Sequence, residues 1–377
     1  MSGLYCPLQS AYRRHHSTET ALLKISNDIF EAVNSGNTTV LVALDLSAAF
    51  DTIDHSVLIN RREYTLGLGG LALEWVKSYL GGQTSFVKIG GERSATTGVV
   101  TGVPQGPSLD QYFFHFMFRH SAILSPSRAS NSTNMLMTFN FTLLSMSTMP
   151  LMRLRIYLSV RLIFMTGCYT IASHSTRTSR NLQCSSSKMI AVSKLLSPTV
   201  SGAPIAISKH IKNLRVTLDG KLSFDKHVDN VCRDCHFHIR ALRHVRSAMS
   251  RETANMVACV IVSSRHDYCN SVLAGMSSAN LDRLQRVQNT LARVVTGTQR
   301  RDHITPVLAG LHWLPVQARI TFKVTTMVYK IRETRQPTYL SKLITDYYLR
   351  SSSANRLAVH TCHSSTGARS YIYLYSS

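Results

Sequence analysis

The chain has 377 residues, enough for two domains of ordinary size, and 42 Lys and Arg against 20 Asp and Glu give a net charge of +22. A hydrophobic content of 44% supports a packed core and excludes a wholly disordered chain. The N-terminus lacks a secretory-signal pattern, no run of about 20 apolar residues occurs, and eight scattered cysteines make no disulfide scaffold.

An intracellular, reduced protein, nuclear or cytoplasmic and neither secreted nor membrane-bound, is therefore expected. Thr39-Val40-Leu41-Val42-Ala43-Leu44 is a continuous apolar run and predicts a buried strand that ends at Asp45. A carboxylate there is costly unless it meets donors or a cation. It is well placed to hold Mg²⁺ against a triphosphate. Taken alone, a strand-end cap explains Asp45 better. Leu71, Ala72, Trp75, Val76, Tyr79 and Leu80 recur at helical spacing, and Gly81-Gly82 marks the stop. Phe86-Val87-Lys88-Ile89, Gly90-Gly91 and a second extended run predict a hairpin. Gly102-Val103-Pro104-Gln105-Gly106 permits a tight loop that backbone can approach, and alone it is only a turn.

The acids then stop. None occurs between Asp110 and Asp219, and residues 111–200 hold eight of the 13 Met. Surfaces normally carry both signs of charge. A basic RNA-contacting insert is one reading of this stretch. The other is that its protein sequence was never selected for the fold, in which case 111–200 lacks a stable core.

From about 205 onward the pattern is helical. Leu281, Leu284, Val287, Gln288, Leu291, Val294 and Val295 form one face, Arg283, Arg286 and Arg293 lie on or beside the other, and Gly297 is the stop. Cys232, Cys235, His236 and His238 fall within seven residues on a helix running to Arg246, too crowded for the usual two separated ligand pairs of a zinc site, so chance thiols are the better reading. Residues 351–377 form a Ser- and Tyr-rich tail with little pattern. The positive excess points to a polyanion, most simply nucleic acid.

Several motifs gain meaning from their order. Gln9-Ser10-Ala11-Tyr12-Arg13, His16-Ser17-Thr18-Glu19-Thr20, the strand ending Asp45-Leu46-Ser47-Ala48-Ala49-Phe50-Asp51, and Gly102 to Gly106 together resemble the reverse transcriptase of non-LTR (LINE-type) retrotransposons. The resemblance covers roughly 4–106. It resumes over about 205–350, where His303-Ile304-Thr305-Pro306-Val307-Leu308 and Leu311-His312-Trp313-Leu314-Pro315 look like the segment that follows the polymerase core.

The resemblance implies an α+β chain: part of a right-hand polymerase palm and fingers over 1–106, a poorly ordered segment over 107–200, a mostly helical thumb-like region over 201–350, and the tail. Asp45 would be the first metal-binding carboxylate and Leu46 would offer its backbone carbonyl to Mg²⁺. Phe50 would lie beneath the incoming sugar. Gln105 and Gly106 would line template and nucleotide. An RNA template and a DNA primer or duplex would be the partners. The arginine-bearing fingers motif of the family is expected upstream of Gln9.

The family also places Tyr-Ala-Asp-Asp in a hairpin, which supplies the second carboxylates for two bridged metal ions. This sequence does not contain it. A codon offset restores it: Asn134-Met135-Leu136-Met137-Thr138 can be written AAT ATG CTG ATG AC, which in the shifted frame reads Tyr-Ala-Asp-Asp. The same offset over Leu109–Phe118 permits Gly-Pro-Ile-Leu-Phe-Ser-Leu-Tyr-Val. Over Met165–Asn181 it permits Asp-Trp-Met-Leu-His-Asn, then Leu-Asn-Pro-Asp-Lys-Ser-Glu. Both are family-like and in the right order. A frameshift near 107–109 and a compensating one between about 182 and 204 are inferred. Three functions follow: an inactive polymerase remnant, a non-catalytic basic nucleic-acid-binding protein, or an active enzyme whose reading frame was lost in the gene model.

Overall fold

The structure is a computed structural model. It describes residues 8–11, 13–34, 39–45, 54–66, 69–103, 132–135, 138–143, 179–185, 199–200, 203–204, 208–344, 346–347 and 356–357. Among them the chain is a mixed, helix-rich α and β protein with few strands, and no helix is long and apolar enough to cross a membrane. The expectation of poor order over 107–200 falls mostly outside the described residues. The described parts of that stretch are strands.

Helix α1 (Thr18–Asn34) starts at a reciprocal cap. Ser17 Oγ accepts from Thr20 N at 3.1 Å and Thr20 Oγ1 accepts from Ser17 N at 2.9 Å, which satisfies two orphan amides of the first turn. Residues 19–30 are all buried, so Glu19, Lys24 and Asp28 all need partners inside. Strand β1 (Thr39–Asp45) is the predicted one, with Leu41 in the core. Helices α2 (His55–Leu66) and α3 (Gly70–Leu80) pack on each other.

The face of α3 differs from its sequence reading. Leu73, Val76 and Leu80 are buried, while Leu71 and Trp75 are exposed. The i, i+3, i+7 set meets the protein, and Trp75 instead stacks on Tyr79 in solvent at 5.6 Å. The predicted hairpin is present as β3 (Lys88–Ile89) and β4 (Glu92–Arg93), flanked by β2 (Thr84–Ser85) paired with β5 (Thr97–Gly98). Gly90 takes φ of 61° in its turn, which a side chain would resist.

The central sheet is antiparallel, in the order β6 (Ser132–Met135), β7 (Thr138–Leu143), β1, β8 (Ser179–Ser185). Strands β9 (Thr199–Val200) and β10 (Ala203–Pro204) make a small separate pair.

The region after 205 is not purely helical. It opens with a hairpin of β11 (His210–Asn213) and β12 (Val216–Asp219), turned by Leu214 and Arg215 at φ of 46° and 66°. Two left-handed residues match the right-handed strand twist, but Leu and Arg carry no sequence signal for such a turn. The turn beyond it is held by one carboxylate. Asp219 accepts from the amides of Lys221, Ser223 and Phe224 at 3.0, 2.9 and 2.7 Å and from Ser223 Oγ at 3.1 Å. These bonds hold Leu222 and Phe224 at positive φ, and both side chains are buried. Asp219→Ala is expected to cost about 2–3 kcal/mol in urea unfolding, because the buried Phe224 amide and three part-buried donors lose their acceptor together. A loss below about 0.5 kcal/mol would show that the turn holds without it.

The helices that follow are α4 (Asp225–Val245), α5 (Arg251–Ala258), a π-helical turn at Cys259–Ser263, α6 (Ser264–His266), α7 (Ser278–Thr296), α8 (Ile304–Gly310), α9 (Val316–Thr334) and α10 (Thr338–Ser341). Ser277 caps α7 by accepting from Asn280 N at 3.4 Å, and Gly297 ends it at φ of 74°. Two hydrophobic cores result. One joins α1, Leu41, the β11–β12 hairpin, residues 269–276, α9 and α10. The other lies between α4, α5, α7 and α8.

Candidate active site

Asp45 closes the central strand of the four-stranded sheet. Its ladder partners are Thr138 on β7 and Ser179 on β8. Such partners have Cα atoms about 4.5–5.5 Å apart. Thr138 also pairs with Met135 on β6, and only Leu136 and Met137 link those two strands. Thr138 is thus the β7 position level with Asp45, and its other ladder partner, Met135, is the last residue of β6. Asn134 to Thr138 is the stretch whose codons can be chosen to read Tyr-Ala-Asp-Asp in the offset frame.

A second group of contacts anchors the segment leading into the glycine loop. Asp54 caps α2: its Oδ1 accepts from Ser56 N at 2.8 Å, Ser56 Oγ at 2.5 Å and Val57 N at 3.0 Å. The Ser56 hydroxyl first, and the Val57 amide next, hold this carboxyl below the usual range. Asp54 bridges to Thr101, His55 N donates to Val100 O at 3.3 Å, and His55 Nε2 lies 2.6 Å from Gly102 O. Gly102 stands at φ of 91° and Val103 is buried. Asp54 and His55 were missed in the sequence, although an Asp directly before a helical run is an N-cap signal. Leu46, Phe50, Gln105 and Gly106 lie outside the described residues.

The N-terminal motifs meet the C-terminal helices. Glu19 Oε1 accepts from Ser271 N at 3.0 Å and Ser271 Oγ at 2.6 Å, and its Oε2 lies 3.2 Å from Lys323 Nζ. Ser10 Oγ and Thr20 Oγ1 lie 2.6 and 3.2 Å from Tyr339 Oη. Burial raises the Tyr339 hydroxyl above its ordinary pKa. No local pattern could have paired residues so far apart in sequence.

On α4, Cys235 is fully buried and Cys232 half-buried, both packed on the helical core. Burial raises both thiols, Cys235 to about 12, so neither is poised as a thiolate ligand. Among the described residues no group of three or more His, Cys, Asp and Glu could hold a metal ion. Every residue assigned to the inner face of α7 packs inward, Leu281 only partly. Two of the three arginines beside that face are spoken for. Arg283 pairs with Asp229, and Arg293 donates to the Gln299 and Asp302 carbonyls at 3.4 and 3.2 Å. The freer basic surface is on α4, where Arg240 and Arg243 are exposed beside Phe237.

Residues 3–123 match the family described as reverse transcriptase (RNA-dependent DNA polymerase). Over 300 residues the chain is 24% identical to a Drosophila melanogaster protein described as "Probable RNA-directed DNA polymerase from transposon X-element". Over these stretches the chain is similar to retrotransposon reverse transcriptases. That alignment covers 77% of this chain and 32% of the Drosophila protein, so the chain spans about a third of its relative's length. The reverse transcriptase match includes Asp45, Phe50, Gln105 and Gly106 and ends before the β6–β7 hairpin. It runs past 107–109, so its end does not itself mark the inferred break.

A divalent metal is typical of the reverse transcriptase family. Asp45 is the acid at this end of β1, and its ladder partners are Thr138 and Ser179. A two-metal centre takes carboxylates from two elements, and among the described residues no second acid is paired with that position.

Proposed function

We propose that this chain is a remnant of a non-LTR retrotransposon reverse transcriptase that keeps nucleic-acid binding and, as its sequence stands, does not polymerise. One observation carries the reading. The ladder sets Asp45 opposite Thr138, which pairs in turn with Met135 at the end of β6. Family resemblance asks for acids at that place, and the codon offset puts two acids over 136–138. In this reading the palm and fingers part runs over 1–106, the frame-shifted segment over 107–200 and the thumb-like region over 201–350. Mg²⁺ belongs to the intact ancestor, with Asp45 and the Leu46 carbonyl as its first ligands. Phe50, Gln105 and Gly106 keep the nucleotide- and template-lining roles that the family implies. Sequencing the genomic locus and its transcript tests the reading directly. Locus and transcript should both carry the offset frame across 109–181, with shifts on either side. An uninterrupted locus whose codons forbid Tyr-Ala-Asp-Asp over 134–138 would refute it.

Nucleic-acid binding rests on the helical region. Residues 208–335 carry 21 Lys and Arg against nine Asp and Glu, and Arg240 and Arg243 face solvent on α4. RNA or DNA is expected to bind with little sequence preference. Affinity should fall by about tenfold or more between 50 and 200 mM salt, as phosphate contacts release counterions. Arg240→Ala with Arg243→Ala should flatten the salt slope by about one to two units. Affinity that is flat across that salt range would exclude the phosphate-driven mode.

A further inference from the structure

Lys226, Arg233 and Arg240 recur at a spacing of seven along α4. Seven residues make almost two full turns of an α-helix and drift by only about 20°, so the three cations stay in one line. At 1.5 Å per residue that line is about 21 Å long. Phe237 stands four residues after Arg233 and three before Arg240, the two spacings that make side chains neighbours on one helix face. Packing fixes where the line lies. Val228, Cys235, Ile239 and Leu242 are the buried side of α4, and Lys226, Arg233, Phe237 and Arg240 on the opposite side are all exposed.

The stripe carries charge of one sign. Among the described residues none of the three cations is in an ion pair. Arg233 Nη2 donates to Asn230 Oδ1 at 2.9 Å, an uncharged partner that leaves its charge intact. The nearby acids are occupied or off the line. Asp229 pairs with Arg283, Asp225 accepts from Ser223 Oγ and Asn280 Nδ2, and Asp234 lies about a quarter-turn away around the helix. Phe237 is the apolar member. It is 61% exposed, and His238 meets it nearly perpendicular at 5.2 Å between ring centroids, which sets the tilt of the ring.

These residues narrow the occupant. One ring among three cations is too little apolar surface for a protein interface or a membrane surface, both of which gather several large apolar side chains. A duplex keeps its bases stacked inside, so it would use the cations and leave the ring idle. A single strand offers phosphates and open base faces together. We infer that this stripe of α4 binds single-stranded nucleic acid, with phosphates on Lys226, Arg233 and Arg240 and a base stacked on Phe237. The inference rests on the nucleic-acid reading above and adds to it a strand state and a contact with a base.

The full chain is titrated by fluorescence anisotropy with a single-stranded RNA of about 12 nucleotides, an abasic strand of the same length and a duplex. Phe237→Ala should weaken the base-bearing single strand by about tenfold and leave the abasic strand and the duplex unchanged. Phe237→Tyr, which keeps a stacking ring, should restore the loss. Arg240→Ala should weaken all three and lower each salt slope by about one. If Phe237→Ala weakens no strand, or weakens the base-bearing and abasic strands alike, the stacked base is wrong while nucleic-acid binding stands. If the strands bind and Arg240→Ala changes nothing, binding lies elsewhere and the stripe is wrong. If no strand binds the unaltered chain, the nucleic-acid reading fails and the stripe fails with it.

Discussion

Primer extension on an RNA template by the chain as it stands is expected at background, and Asp45→Ala is expected to leave that background unchanged. Phosphoryl transfer leaves little covalent chemistry to a protein; catalysis is positioning and charge neutralisation. Asp45 is the acid at the end of β1, and its ladder partners are Thr138 and Ser179. Losing one preorganised charge-stabilising group costs on the order of 10²–10³-fold in rate. The sequence has no Asp or Glu between Asp110 and Asp219, where the resemblance expects the second carboxylates, so a loss beyond that range is expected. A version with the frame restored over the middle region and with upstream sequence added should regain extension. In that version Asp45→Ala should abolish it. Extension by the chain as written, lost on Asp45→Ala, would overturn the assignment of the hairpin.

The hairpin also shows what a protein sequence can and cannot disclose. Asp45 was legible, because a continuous apolar run that ends in an acid is an unusual strand end. Its partner was not legible in the amino acids, since Asn134 to Thr138 carries no acid and no Gly or Asn turn signal at Leu136-Met137. Helix α7 was read from Leu281 to its Gly297 stop because its apolar period and that stop agree, while its start at the Ser277 cap was not read. Helix α3 was half readable: Leu71 and Trp75 fit the period but are exposed, and the stripe that packs is the narrower one of Leu73, Val76 and Leu80. The β11–β12 hairpin was hidden by its Leu214-Arg215 turn. The Glu19 to Ser271 and Ser10 to Tyr339 bonds were beyond reach, since nothing in either local sequence names a partner more than 250 residues away.

Replacing Lys24 and Asp28 together should leave the fold about as stable as it is now, whereas replacing either alone should cost about 3–5 kcal/mol. The two residues lie one turn apart on α1, which packs on β1, β6 and β7, and Lys24 Nζ donates to Asp28 Oδ1. Both are almost fully buried, and Asp28 Oδ2 has no hydrogen-bond partner among the described residues. Burial pushes the Asp28 carboxyl up to about 6 although Lys24 beside it pulls the other way. Desolvation therefore outweighs the attraction. A carboxyl whose folded pKa is raised favours folding when protonated. Its contribution is complete below its unfolded value of 3.8 and is lost as pH rises through about 6. Lys24→Met should thus be most damaging near pH 8, where it leaves a buried unpaired carboxylate, and milder near pH 4.5. In Lys24→Met with Asp28→Leu, two apolar side chains replace the pair, and this source of pH dependence should vanish. Urea unfolding of the two single variants and the double variant at both pH values checks this. A double variant as unstable as either single one would show that the pair is a net stabiliser of α1 and that the sign argued from Asp28 is wrong.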